Sequence, residues 1–224
     1  MVTEIFFAII TGIIPIGIFA IRYKKISFLG LVLLLFLLLS VIVDSFNLFF
    51  YVNNLNNLFL INIYDYFAIF LELLFLIIAS KPNGRVLFIG ASIIIIYWCW
   101  HFIFNIDNGL YNLSTELSFV LSCLVLVFCF YCTIRILTGT SSFFNESKYR
   151  LIAIIGLFVF ESACLIPVCT SNLNLEPEER KYLSDLYNHV IVVGSIVRNV
   201  LFSLYFILDN RIHKKERVSN SLVI

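Results

Sequence analysis

This sequence predicts an all-α fold: a polytopic membrane helix bundle of seven transmembrane helices, with the N-terminus outside and the C-terminus inside. Three observations predict it. The first is composition. Of 224 residues, 61% are hydrophobic and 13% charged, whereas a soluble domain is roughly half apolar and a quarter charged. The mean hydropathy of +1.01 leaves no material for a water-facing surface. The second is length. Apolar runs of the roughly 20 residues needed to cross a hydrocarbon core about 30 Å thick recur along the chain between short polar connections. The third is the sorting of charge. Of the 15 Lys and Arg residues, most occupy every second connection: Arg22, Lys24 and Lys25; Lys81 and Arg85; Arg135, Lys148 and Arg150; Arg211, Lys214, Lys215 and Arg217. The intervening connections have only Arg180 and Lys181, set among glutamates. Cytoplasmic loops retain Lys and Arg, so the alternation gives the orientation.

Taken in order, the first helix spans about 4–21 and contains Pro15, which a membrane helix tolerates. The N-terminus has no basic region before this run and no small-residue cleavage site after it, so no removable signal is expected. The second and third helices span about 27–51 and about 58–80, joined by an asparagine-rich, uncharged link that predicts a tight hairpin. Lys81-Pro82-Asn83-Gly84-Arg85 is a turn. The fourth helix spans about 86–105 and the fifth about 114–137, with Ser114 or Thr115 as cap and Glu116 in the first turn, where a carboxylate suits the helix dipole. The sixth spans about 148–170 and contains Pro167. The seventh begins at Pro177-Glu178-Glu179, a good helix start. If it runs unbroken to Asp209, its about 33 residues measure about 50 Å, and the turns from Glu178 to Tyr187 project from the membrane. A separate short surface helix is the alternative. Residues 1–224 form a single transmembrane domain, so any output in the cytosol passes through a partner or through the helices.

Polar residues inside the apolar runs hold the functional information. A charge at the bilayer centre costs about 2.5–3.5 kcal/mol, while one strongly apolar residue returns about 0.3–0.6 kcal/mol. A retained charge therefore needs a partner, a proton or water. Ser40, Asp44, Asn47 and Tyr51 share one face of the second helix. Asn62, Asp65 and Glu72 share a face of the third, Tyr97, His101 and Asn105 of the fourth, and Asn188, Ser195 and Asn199 of the seventh, with Arg198 beside them. Counting from the helix ends places Glu72, Glu161 and Arg198 near the middle of the membrane. Arg198 is expected to pair with Glu161 or Glu72, and with Asn199 these form an intramembrane charge network. A structural clamp and a role in ligand, ion or proton handling both fit it. Asp44, Asp65, Glu72 and Glu161 outnumber the available bases, so not all four carboxyls can be ionised cheaply. A second expectation is an outward ligand-binding cavity lined by Asp44, Asn47, Asp65, His101, Glu116 and Asn188. Its aromatic rim would include Tyr51, Tyr64, Trp98, Trp100 and Tyr187, although Trp and Tyr also form ordinary interfacial belts.

An acid and Asn in the second helix (Asp44, Asn47), an Asn-rich turn, Asn62-x-Tyr64 leading to Glu72, and Arg198-Asn199-x-x-x-x-x-Tyr205 in the seventh helix resemble two groups of proteins. These are small uncharacterised bacterial seven-helix membrane proteins and the seven-helix input modules of some histidine kinases. The resemblance implies sensing or signalling in a membrane and brings no catalytic residues.

Several chemistries are disfavoured. The seventh helix has no lysine in its span for a retinal Schiff base, and His101, His189 and His213 cannot assemble a three-ligand zinc site. No Gly-x-Ser-x-Gly supports a serine hydrolase. Cys129 and Cys132 form a C-x-x-C on a spanning helix without a nearby His, so they are expected to pack as small hydrophobes. The expectation is a non-enzyme without metal or cofactor, in a bacterial inner membrane. It senses a ligand or membrane state and acts through a cytoplasmic or membrane protein partner, with self-association open and no nucleic acid involved. A small proton-linked transporter and a structural subunit of a larger membrane complex are the alternatives.

Overall fold

The computed structural model describes residues 2–22, 27–53, 55, 57–80, 88–90, 92, 96, 99, 115–138, 141–170 and 176–221. Six continuous helices make up nearly all of these: α1 (Val2–Arg22), α2 (Phe28–Val52), α3 (Leu58–Ser80), α4 (Thr115–Thr138), α5 (Ser141–Thr170) and α6 (Pro177–Ser221). Phe88–Gly90, Ser92, Ile96 and Cys99 are helical too and belong to the predicted fourth helix. No strand occurs among the described residues. Among the described residues, four spans, Phe28–Val52, Phe119–Thr138, Tyr149–Ile166 and Leu186–Asp209, are long and apolar enough to cross a membrane, which marks a membrane protein.

Two helices differ from their predicted bounds. α5 begins at Ser141 rather than near 148, and Arg150, counted with the basic connections yet inside the expected helix bounds, is helical and buried. Hydropathy locates the apolar part of a helix and is blind to a polar first turn. α6 is continuous, with no break between a surface segment and the span, and it runs on past Asp209 to Ser221. The added turns contain Lys, Arg and Glu, which are good helix formers with no hydropathic signal. Its 45 residues measure about 68 Å, more than twice the hydrocarbon thickness of about 30 Å.

The helices close into a ring. α1 packs on α2, α2 on α3, α3 on α4, α4 on α5, α5 on α6, and α6 returns to α1, with α3 also touching α5 across the interior. Each helix buries one stripe. In α2 the buried positions Leu29, Val32, Leu33, Phe36, Leu37, Ser40 and Val43 fall at helical spacing, while Phe28, Leu35, Ile42, Phe46 and Phe49 are exposed. The outward shell is therefore as apolar as the core, which suits lipid. The core is aromatic at one level: Phe19 meets Phe206 edge-on at 5.2 Å, and Tyr149 and Tyr205 lie 5.7 Å apart. The α2–α3 turn is held by asparagines. Asn53 donates its side-chain amide to the Phe49 carbonyl at 2.8 Å, and Asn57 donates to Asn47 Oδ1 at 3.3 Å. At the other end of α2, Ser27 caps the helix by accepting from Gly30 N at 3.0 Å.

Glycine sets the closest helix approach. A Cβ on Gly194 of α6 would lie 2.8 Å from the Ala163 Cβ of α5, too near for two methyl groups. Small residues at such seams let membrane helices pack backbone to backbone. Gly17 of α1, by contrast, has open space where a methyl group would sit, with nothing within 4 Å. Gly194→Val should lower stability by about 1–3 kcal/mol through overpacking, read as a reduced melting temperature in detergent. Gly17→Ala should be neutral or stabilising by up to about 1 kcal/mol. Equal melting temperatures for the two variants would refute this account of the seam.

Candidate functional site

The buried charge of α6 organises one side of the interior. Arg198 and Asn199 are 1% and 2% exposed and lie side by side. Asn199 Oδ1 accepts from Arg198 Nε and Nη2, both at 3.2 Å, and Nη2 also donates to Ser40 Oγ of α2 at 3.0 Å. Tyr64 of α3 donates to the same Ser40 oxygen at 3.4 Å. The Asn199 amide nitrogen turns toward α1, where it donates to Thr11 Oγ1 at 3.3 Å and to the Ala8 carbonyl at 3.5 Å. Thr11 in turn donates to Ala8 O at 2.9 Å. Gly12 lets the helices come this close: a Cβ there would be 2.6 Å from Val41 of α2 and 3.5 Å from the Asn199 amide. The guanidinium sits between two rings, 4.2 Å from the Phe160 centroid and 4.9 Å from that of Phe36. Both distances are within cation–π range.

The expected direct ion pair between Arg198 and Glu161 or Glu72 is thus replaced. The hydrogen bonds of the guanidinium go to a hydroxyl and an amide, and its Nη1 has no hydrogen-bond partner. Glu72 and Glu161 still feel its charge, so the attraction acts through space.

The acids form the other side. Glu72 of α3 is 1% exposed and Glu161 of α5 is 4% exposed, and the two carboxyls face one another closely enough to interact. Ser122 of α4, itself buried, lies in hydrogen-bonding reach of Glu161. Neither oxygen of Glu72 has a hydrogen-bond partner. Asp65 and Cys164 lie within electrostatic reach of Glu161. Among the described residues, no group of three His, Cys, Asp or Glu side chains is arranged to hold a metal ion.

Of the expected cavity residues, Asp44, Asn47, Asp65 and Asn188 are half-buried. Asp44 interacts with Arg198, and Asp65 with Glu161, so these two carboxyls extend the interior network toward the Asn53 end of the bundle. Asn47 is engaged with Asn57 in the hairpin. His101 lies outside the described residues, as do Trp98 and Trp100. Glu116 is in the first turn of α4, and its side chain lies outside the described part of the structure. Tyr64, expected on a rim, is instead the interior donor to Ser40. Tyr51 is exposed, and the Tyr187 hydroxyl is buried without a hydrogen-bond partner. Cys129 and Cys132 are fully buried in the core, with Cys132 Sγ 3.7 Å from the Leu76 carbonyl.

The sequence reading missed Thr11, Phe36, Ser122 and Phe160. Thr11-Gly12 was a visible clue, a small polar pair inside an apolar helix. Ser122 was another, whereas the two phenylalanines had no signal among 24 of their kind. No protein-family model, no curated protein and no solved structure matches this chain.

Ser40→Ala should leave Arg198 Nη2 bonded to Asn199 alone and cost about 1–3 kcal/mol, measured by thermal unfolding in detergent. Arg198→Lys loses both the Nε bond and the flat stacking surface, so it should cost more than Ser40→Ala. A Ser40→Ala protein as stable as wild type would show that this hydrogen bond contributes nothing.

Proposed function

We propose that this chain is a seven-helix protein of a bacterial inner membrane, N-terminus outside and C-terminus in the cytoplasm, that senses a ligand or membrane state and signals through a protein partner. The observation that carries this reading is the continuity of α6. One helix holds Arg198 and Asn199 in the buried polar interior and extends beyond its apolar span, Leu186–Asp209, at both ends. A change in the interior hydrogen bonds therefore acts on an element that reaches both faces. The Asn53 end, where Asp44 and Asp65 lie, is the outer end in this orientation, and the basic turns after Asp209 are the inner end. The similarity of the Asp44, Asn47, Glu72 and Arg198-Asn199 pattern to kinase input modules supports the same reading.

A second reading, a proton-linked permease, is favoured by one observation, the apposed carboxyls of Glu72 and Glu161.

Three experiments test these proposals. A reporter fused after Ile224 should be active on the cytoplasmic side, and one inserted between Asn53 and Asn57 should be active outside. The opposite pattern overturns the orientation. For function, the full chain isolated in mild detergent should retain a specific partner, and truncation after Asp209 should release it. Recovery of only a monomer or self-oligomer from the intact chain would sink the signalling reading. Proton-coupled uptake in proteoliposomes, abolished by Glu72→Gln, would favour the permease instead.

A further inference from the structure

Two carboxyl groups cannot approach one another in an apolar interior as a pair of bare anions. Each accepts hydrogen bonds, neither donates, and their charges repel. Glu72 and Glu161 are in this position, on helices that touch across the interior of the ring. Glu72 is 1% exposed, and both of its oxygens lack a donor. Glu161 has the Ser122 hydroxyl and faces Glu72. The nearby base does not resolve the conflict, because Arg198 gives its hydrogen bonds to Ser40 and Asn199. Its Nη1, equally buried and without a partner, belongs to the guanidinium whose charge acts on both carboxyls.

We propose that Glu72 and Glu161 hold one proton between them, making the centre of the bundle a proton-binding site whose fixed countercharge is Arg198. The proton supplies the missing donor: the protonated carboxyl donates to an oxygen of the other. It also balances the charge, since one proton on two carboxyls leaves a single negative charge beside one guanidinium. On deprotonation the proton passes to water, and the site is left with two negative charges facing one positive charge. The other groups within electrostatic reach are Asp65 and Tyr64 of α3, Cys129 of α4 and Cys164 of α5, with Asp44 of α2 acting on Arg198. All of these acids add negative charge when ionised and so favour retention of the shared proton. The pair titrates as a unit and not as two independent residues. The site is independent of whether the chain signals or transports.

Infrared difference spectroscopy on the full chain in lipid nanodiscs tests this, with pH steps and hydrogen–deuterium exchange. Wild type at neutral pH should show a protonated-carboxyl stretch that shifts on deuteration and moves when glutamate is carbon-13 labelled. Glu72→Gln should remove it, because the amide then donates to Glu161 and leaves that carboxyl ionised. Glu161→Gln should remove it by the same argument, and exposed Glu178→Gln should leave it unchanged. If one glutamine variant fails to fold, the carbon-13 shift still assigns the proton to a glutamate, and loss of the band in the other variant assigns it to the pair. A band insensitive to the glutamate label, which would place the proton on an aspartate, overturns the proposal. So does a band surviving in both folded glutamine variants, or its absence at every pH at which the protein is folded.

Discussion

The structure depends on keeping one guanidinium inside an apolar bundle. An unpaired buried charge is far more costly than any single hydrogen bond can offset, so the partners of Arg198 come from several helices at once. Ser40 reaches in from α2, and Phe36 and Phe160 cover the faces of the group from α2 and α5. Asn199 accepts from it and passes the connection to Thr11 and Ala8 on α1. The closest helix approaches follow from the same requirement. Gly12 brings α1 to within reach of the Asn199 amide, and Gly194 brings α6 against α5 a turn before Arg198. A bulkier residue at either position would move the arginine away from its partners.

The polar interior has two halves of different character. Around Arg198 most donors and acceptors are matched, and the geometry is closed. Around Glu72 the acceptors exceed the donors. Phe160 and Glu161 are adjacent on α5, so one helix touches both halves, with a ring on the guanidinium and a carboxyl against Glu72. A fully satisfied polar network rigidifies the elements it joins, and an unpaired buried polar group is costly, so the two halves contribute differently to the bundle. The surrounding shell of Leu, Ile and Phe does not compete for these groups, and their polarity is directed inward.

Hydropathy and helical periodicity made most of the fold legible. The boundaries of α2 and α3 fall within a residue or two of expectation, because caps and turn residues such as Ser27 and Asn53 mark them. The start of α5 and the end of α6 were not legible, since polar helical turns look like loop to a hydropathic measure. Within the interior, periodicity put Ser40, Glu72 and Asn199 on polar faces with Arg198 beside one of them, depth counting put Glu72, Glu161 and Arg198 near the middle, and the structure brings these residues near one another. It did not identify who bonds to whom. Charge complementarity pointed Arg198 at a glutamate. The hydroxyl and amide that hold it instead are within reach because of helix crossing geometry, which a one-dimensional pattern does not contain. Asn47 shows the converse: a polar residue on the expected face whose side chain completes a turn.

The contact between α1 and α6 joins the first and last described helices of the ring. A ribosome releases α1, α2 and α3 well before α6, so Thr11, the Ala8 carbonyl and Ser40 enter the bilayer without the residues they finally bind. Until α6 arrives, these groups must be satisfied by water, translocon or one another, and Glu72 and Glu161 have no cation beside them. The insertion of a single late segment therefore completes the polar interior in one step. Quality control during synthesis has a simple signal to read: an open ring exposes Ser40, Glu72 and Glu161, and a closed one buries all three.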